Sequence, residues 1–196
     1  MQIEKQIYYR RETINATAIA FRAAKRLDEY IVSIRKQIKA ESDDRLFSIT
    51  DEILEAVEIL KHRSSMLGVN IDFVWKRKIY LWGNPVRFHQ LALNLISNAV
   101  DSYESLSVVK RVVSIRTKIE KEEIIFCVTD FGCGILAENL VKIFDPFFST
   151  KNEKGTGLGL STSKEITEKE FDGKIYVVST EKIGTQFFIK IPVRRK

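Results

Sequence analysis

Small and apolar residues recur with alternating steps of three and four from Thr17 through Ala20, Ala24, Leu27, Ile31 and Ile34 to Ile38. No Gly or Pro interrupts Thr13 to Lys39, so the spacing predicts one long helix with a coiled-coil-like seam. Such a seam needs a partner helix, and the chain holds no second heptad stretch. The expectation is a homodimer through residues 13–39. Ala40-Glu41-Ser42-Asp43-Asp44 breaks the pattern and reads as a linker. The expected organisation is a helix over 1–40, a linker over 41–49 and a globular domain over 50–196.

Beyond the linker the period changes repeatedly. Phe47 and Ile49 suggest a short strand, and Ser48 or Thr50 can cap a helix from about Asp51 to Leu67 that ends at Gly68. Ile53, Val57 and Leu60 would face its core. Two strand-like runs follow, VNIDFVW and KIYLWG, before Asn84-Pro85 opens the helix VRFHQLALNLISNAVDSYES. The runs RVVSIRTKI and EEIIFCVTD read as strands joined in a hairpin at Glu120-Lys121. A helix over Thr162–Lys169 and the strands KIYVVST and GTQFFIKIP complete the chain. Adjacent strands with irregularly placed helices predict an α+β fold. The expected form is a two-layer sandwich, a mixed and mostly antiparallel sheet with helices on one face, preceded by the long N-terminal helix.

Composition narrows the class. With 44% apolar and 30% charged residues in 196, the chain suits a globular domain with an appendage. No apolar run reaches membrane-spanning length and no signal-peptide core is visible. The two cysteines, Cys127 and Cys133, match no metal or disulfide spacing, so a cytoplasmic location is expected. Residues 1–40 hold nine Lys/Arg against four Asp/Glu. That surplus could face nucleic acid, anionic lipid or an acidic protein, but a solvated helix face explains it as well. Neither nucleic acid nor membrane is expected to be touched by this stretch of chain.

The chemistry concentrates in Asp130 to Leu160, DFGCGILAENLVKIFDPFFSTKNEKGTGLGL. Gly132/Gly134 and Gly155/Gly157/Gly159 are five of the nine glycines. Glycines let a backbone approach a ligand closely, and successive free N–H groups can cradle phosphate oxygens. The second cluster runs into a helical segment, whose N-terminus suits anions. Asp130 ends a strand, which would fix its carboxylate at a pocket mouth. These features predict a nucleotide site, with Asp130 for the base and the second cluster for the phosphates. Asn94 and Asn98, spaced i, i+4, project from one face of a largely apolar helix. Either they satisfy buried backbone groups, or an amide oxygen joins nucleotide phosphates around a hard cation such as Mg²⁺.

Taken in order, these elements resemble the ATP-binding domain shared by sensor histidine kinases, gyrase, mismatch-repair ATPases and the large heat-shock chaperones. Residues 90–101 are similar to the asparagine box, and Asp130-Phe131-Gly132-Cys133-Gly134 to the first glycine box. Phe144–Lys151 resembles the phenylalanine box, and Gly155-Thr156-Gly157-Leu158-Gly159 the second glycine box. Gly184-Thr185 resembles the trailing glycine motif. The details resemble two-component sensor kinases of the nitrogen-regulation type.

That resemblance implies ATP and Mg²⁺ as cofactors, with Asn98 on the metal and Asn94 supporting it near the phosphates. It implies that Asp130 accepts a hydrogen bond from the adenine amino group, with Ile135 and Leu160 against the ring. Thr150 and Lys151 would approach the phosphates, and Thr185 would complete the site. Residues 13–40 would be the second helix of a dimerisation and phosphotransfer hairpin. The partners implied are a second copy and the receiver domain of a response regulator.

Departures from the pattern matter too. Hydrolysing members and serine kinases of the fold place a Glu four residues before the metal-binding Asn as general base. Here it is Asn94, which cannot accept a proton, and this favours a kinase whose histidine nucleophile comes from another domain. Where sensor kinases often carry a Lys three residues after that Asn, this chain has Asp101, another candidate at the phosphate end. No acceptor-histidine box is present, since His62 and His89 lie in neither a His-Glu nor a His-Asp pair. The expectation is therefore that the first hairpin helix and any sensor, membrane-anchored or not, belong to a longer parent protein. Two other readings are a non-catalytic nucleotide-binding scaffold and a stand-alone ATPase or serine kinase of the same fold.

Overall fold

The computed structural model describes residues 44–75, 77–104, 111–150 and 156–193. The seam from Thr17 to Ile38, with the dimer it predicts, lies outside them, as do Lys151 and Gly155. Contacts group the chain into Met1–Asp43 and Asp44–Lys196, and the second unit is described here.

Strand β1 (Arg45–Ser48) runs directly into helix α1 (Ile49–Met66). Ser48 holds extended backbone and its Oγ accepts the Asp51 N–H at 3.2 Å, which caps the first turn. Ile49, Ile53, Ala56 and Leu60 make the buried stripe, while Val57 packs beside it. The helix closes at Gly68, with φ at +63°. Strand β2 (Asn70–Val74) follows, then β3 (Tyr80–Gly83), which pairs antiparallel with β1 in a small two-stranded sheet.

Helix α2 (Pro85–Asp101) starts as its sequence demands, with Asn84 accepting the Arg87 N–H at 3.1 Å and Pro85 in the first turn. Phe88, Leu91, Ala92, Leu95, Ile96, Ala99 and Val100 are all buried. Their spacing is that of a single helical face. Phe88 is the aromatic hub of the core, with ring centroids 5.8 Å from Phe47 and Phe126 and 6.0 Å from Phe171.

The main sheet has five strands in the order β2-β4-β5-β7-β6, with β4 (Val112–Glu120), β5 (Glu123–Asp130), β6 (Lys174–Thr180) and β7 (Gly184–Pro192). Only β2 and β4 run parallel; the other pairs are antiparallel. Val113, Ile115, Ile124, Phe126, Val128, Phe187, Ile189 and Ile191 are buried on one face, under the helices. The α+β sandwich with a mixed, mostly antiparallel sheet is therefore the observed architecture.

Two local details differ from expectation. The β4–β5 turn falls on Lys121-Glu122, both with positive φ, one residue later than the pattern suggested. A two-residue turn of type I′ needs left-handed backbone at both positions, and this register pairs Ile119 with Ile124 across the strands. Helix α3 (Gly159–Glu165) begins three residues before Thr162 and widens into a π turn over Ile166–Glu170. Ser163 and Thr167 donate to the Gly159 and Ser163 carbonyls, at 2.8 Å each, and the widened turn delivers Phe171 to the core.

Candidate functional site

Strand β5 is central in the sheet and ends at Asp130, which is only 4% exposed. Its cross-strand neighbours are Val113 on β4 and Thr185 on β7. Asp130 Oδ1 accepts the Gly132 N–H at 2.9 Å, so the turn after the strand fixes the carboxylate. A buried carboxylate here is an acceptor facing a cavity of about 300 Å³.

Contacts on both sides clamp this turn. Phe131 N–H donates to Tyr103 Oη at 2.8 Å, and the Tyr103 hydroxyl donates to the Val112 carbonyl at 2.7 Å. Cys133 N–H donates to the Ser102 carbonyl at 3.1 Å, which docks the end of α2 against the turn. On the other side Ile135 N–H donates to Ser179 Oγ at 2.9 Å, and Ser179 Oγ lies 2.9 Å from Thr185 Oγ1. Gly134, with φ at +65°, allows the close approach: a Cβ there would sit 2.0 Å from the Thr180 carbonyl oxygen.

These clamps bring most of the expected residues onto one cavity. Asn98 and Asp101 from α2, Asp130, Gly134, Ile135, Thr150, Thr156, Gly157, Gly159, Leu160 and Thr185 all line it. Asn94, Gly132 and Leu158 are not among the residues that line it. The Asn94 amide donates to the Gly159 carbonyl at 3.2 Å, which ties the start of α3 to α2. Asp101 Oδ1 accepts from Arg63 Nε at 2.8 Å, so a guanidinium of α1 is held beside the cavity rim. Gly157, at φ +67°, lets the glycine-rich turn press on Phe147, whose carbonyl carbon would be 2.3 Å from an added Cβ.

The walls divide by chemistry. Ile135, Ile143, Phe148, Leu160 and Phe187 offer apolar surface, whereas Asn98, Asp101, Thr150 and Thr156 are polar. An aromatic ring fits the first set and a charged, oxygen-rich group the second. An Asn98 amide oxygen and an Asp101 carboxylate on the same cavity offer hard donors, which fit a cation that keeps part of its water shell.

Several contributors escaped the sequence reading. Tyr103 and Ser102 lie beyond the last helical turn of α2, where an aromatic reads as generic core. Asn139 and Ile143 sit around a short 3-10 turn (Ala137–Asn139) that the pattern did not mark. Ser179 left a usable signal, for it is a polar residue on the inward parity of β6 after Ile175 and Val177.

Burial pushes the Tyr103 phenol above its ordinary range. Replacing Tyr103 by Phe should cost about 1–2 kcal/mol at neutral pH, because Val112 and Phe131 lose their shared partner. The folded state favours the neutral phenol, so this contribution is complete below the unfolded tyrosine pKa of about 10. It fades as pH climbs through the raised folded value. Urea midpoints of both proteins should therefore differ at pH ~7 and converge in alkali; a constant gap would contradict the bridging role.

Comparison with known proteins adds context to this geometry. Residues 83–195 match the family described as "Histidine kinase-, DNA gyrase B-, and HSP90-like ATPase". The chain is 34% identical over 120 residues to the sensor histidine kinase RcsC of Escherichia coli K12, covering 59% of this chain and 12% of that protein. It is 30% identical over 178 residues to the sensor histidine kinase ZraS of Escherichia coli O157:H7, covering 80% of this chain and 38% of that one. The chain thus spans a minor part of these relatives. Among solved structures, the nucleotide-free catalytic domain of histidine kinase ThkA superposes with a TM-score of 0.64 and 27% identity, over 76% of this chain and 95% of that domain. The mycobacterial sensor histidine kinase MprB shares the fold at a TM-score of 0.66 and 23% identity, over 79% of this chain and all of that chain.

Proposed function

Because the chain belongs to the histidine kinase-, DNA gyrase B- and HSP90-like ATPase family, we propose that it is the ATP-binding catalytic part of a two-component sensor histidine kinase. It transfers the γ-phosphoryl of ATP to a histidine, for relay to an aspartate of a response regulator. The observation that carries this reading is the buried Asp130 carboxylate on a cavity that is also lined by apolar side chains, Asn98 and the second glycine segment.

Asp130 accepts the adenine amino group, Thr185 stands beside it across the strand pair, and Ile135 and Leu160 sandwich the ring. The backbone from Thr156 to Gly159 faces the phosphates, with Thr150 nearby, and Lys151 and Gly155 complete that end. Asn98 holds Mg²⁺, which when bound neutralises charge on the β- and γ-phosphates. Asn94 is a positioning residue: it holds the start of α3 and supplies no base for water. Asp101 positions Arg63 near the phosphate end. Residues 13–39 pair two copies of the chain and present the acceptor domain. No described helix is long and apolar enough to cross a membrane.

The isolated chain should bind ATP yet form no phosphohistidine on itself. In-line transfer needs an imidazole at the γ-phosphate with a carboxylate to orient it. His89 lies nine residues before Asn98 on α2, roughly 13 Å along the axis at 1.5 Å per residue. His62 belongs to α1, between Lys61 and Arg63. Incubation with γ-labelled ATP should leave the chain unlabelled, and an added acceptor-histidine hairpin should acquire acid-labile, base-stable phosphate. Label on the chain itself, lost in His62→Gln or His89→Gln, would overturn the assignment of the acceptor to another domain.

A further inference from the structure

Away from the nucleotide cavity, the starts of α1 and α2 bring together Glu52, Glu55 and His89. Glu52 Oε2 lies 3.4 Å from His89 Nδ1 and Glu55 Oε2 lies 4.0 Å from it. One ligand atom from each residue falls within 4.8 Å of the other two. His89 Nδ1 is itself shielded from solvent and makes no hydrogen bond, although it lies at ion-pair distance from both carboxylates. A shielded ring nitrogen that makes no hydrogen bond costs free energy, and a cation shared with the two carboxylates would satisfy it.

We infer that Glu52, Glu55 and His89 form a binding site for a divalent transition cation, with Zn²⁺ the best match. One imidazole and two carboxylates are borderline ligands that suit Zn²⁺, whereas Mg²⁺ and Ca²⁺ prefer oxygen alone. Tetrahedral ligands about 2.0–2.2 Å from a metal stand roughly 3.3–3.5 Å apart. The 3.4 Å separation already meets that spacing, and the 4.0 Å one needs a small rotation of Glu55, whose side chain is 68% exposed. Such a rotation costs little at the surface. Glu55 and the solvent beside it leave a fourth position for water. The cation would cross-link α1 to α2, the helix that carries Asn98, and would offset the charge of the two carboxylates. Nothing in this site touches the nucleotide cavity.

The test titrates ZnCl₂ into the full chain, untagged, stripped with chelator and free of nucleotide. Calorimetry should give one saturable site per chain, and Zn²⁺ should raise the melting temperature. His89→Gln and Glu52→Gln should each weaken binding about a hundredfold or more, since even partners behind metal ligands matter ten- to hundredfold. Glu55→Gln, at the surface and without a folding role, should weaken it about tenfold; it decides the matter if the other variants fold poorly. Co²⁺ bound at the same site should absorb in the visible without a thiolate charge-transfer band. Absence of saturable binding, unchanged affinity in the Glu55 and His89 variants, or loss of binding in Cys133→Ser would each overturn the assignment. The last result would move the metal to the thiol.

Discussion

Exchanging Asp130 for Asn should lower ATP affinity ten- to hundredfold while leaving the fold intact. The amide keeps the shape of the carboxylate, and its oxygen can still accept the Gly132 N–H now made at 2.9 Å. What it loses is the charge on an acceptor that is only 4% exposed. A hydrogen bond with a charged partner contributes about 1.5–3 kcal/mol, or one to two powers of ten in affinity. The amide can also present a donor to the adenine amino group, which repels it. Calorimetric titration of ATP with Mg²⁺ into both proteins measures the ratio, and an unchanged affinity would remove Asp130 from the base-binding role.

The largest effect on stability is expected from Gly134→Ala, at about 4–5 kcal/mol, the range reserved for substitutions that a packed site cannot absorb. Left-handed backbone at φ +65° costs an L-residue about 1–2 kcal/mol by itself. The added Cβ then meets backbone: the Thr180 carbonyl oxygen at 2.0 Å and its carbon at 2.7 Å. That turn cannot retreat cheaply, because Lys182 N–H donates to the Cys133 carbonyl at 2.7 Å. Gly68→Ala is the internal control. Gly68 has nearly the same φ, +63°, but an added Cβ would meet nothing within 4 Å. It should cost only the conformational part, about 1–2 kcal/mol. Urea denaturation of both variants separates the two contributions, and equal costs would show that contact with Thr180 is relieved by local movement.

Elements with one strong period were legible before any coordinates. The buried face of α2 follows from spacing alone, and Asn84-Pro85 marks its start because side-chain capping and a missing donor are local facts. The inner faces of β5 and β7 follow from alternation in the same way. Hairpin registry was not legible, since Glu120-Lys121 and Lys121-Glu122 differ by one residue. Long-range pairing with β7 decides between them. The π turn after Glu165 was equally hidden, as it answers the need to bury Phe171 rather than any local preference. At the site, Asp130 and the glycines stood out because their chemistry is costly without a ligand. Tyr103 and Ser179 did not, because the turn residues they hold, Phe131 and Ile135, are supplied by an element distant in sequence.

Backbone-amide resonances followed during titration with a non-hydrolysable ATP analogue and Mg²⁺ test the nucleotide site most directly. Saturable shifts should centre on Asn98, Asp130, Gly134, Thr156 and Thr185, and should vanish in Asp130→Asn at the same ligand concentration. The outer face of the sheet carries a second depression, bordered by Arg77, Arg116 and Lys118, which could attract phosphates by charge alone. Shifts confined to that basic face, or none around Asp130, would contradict the account.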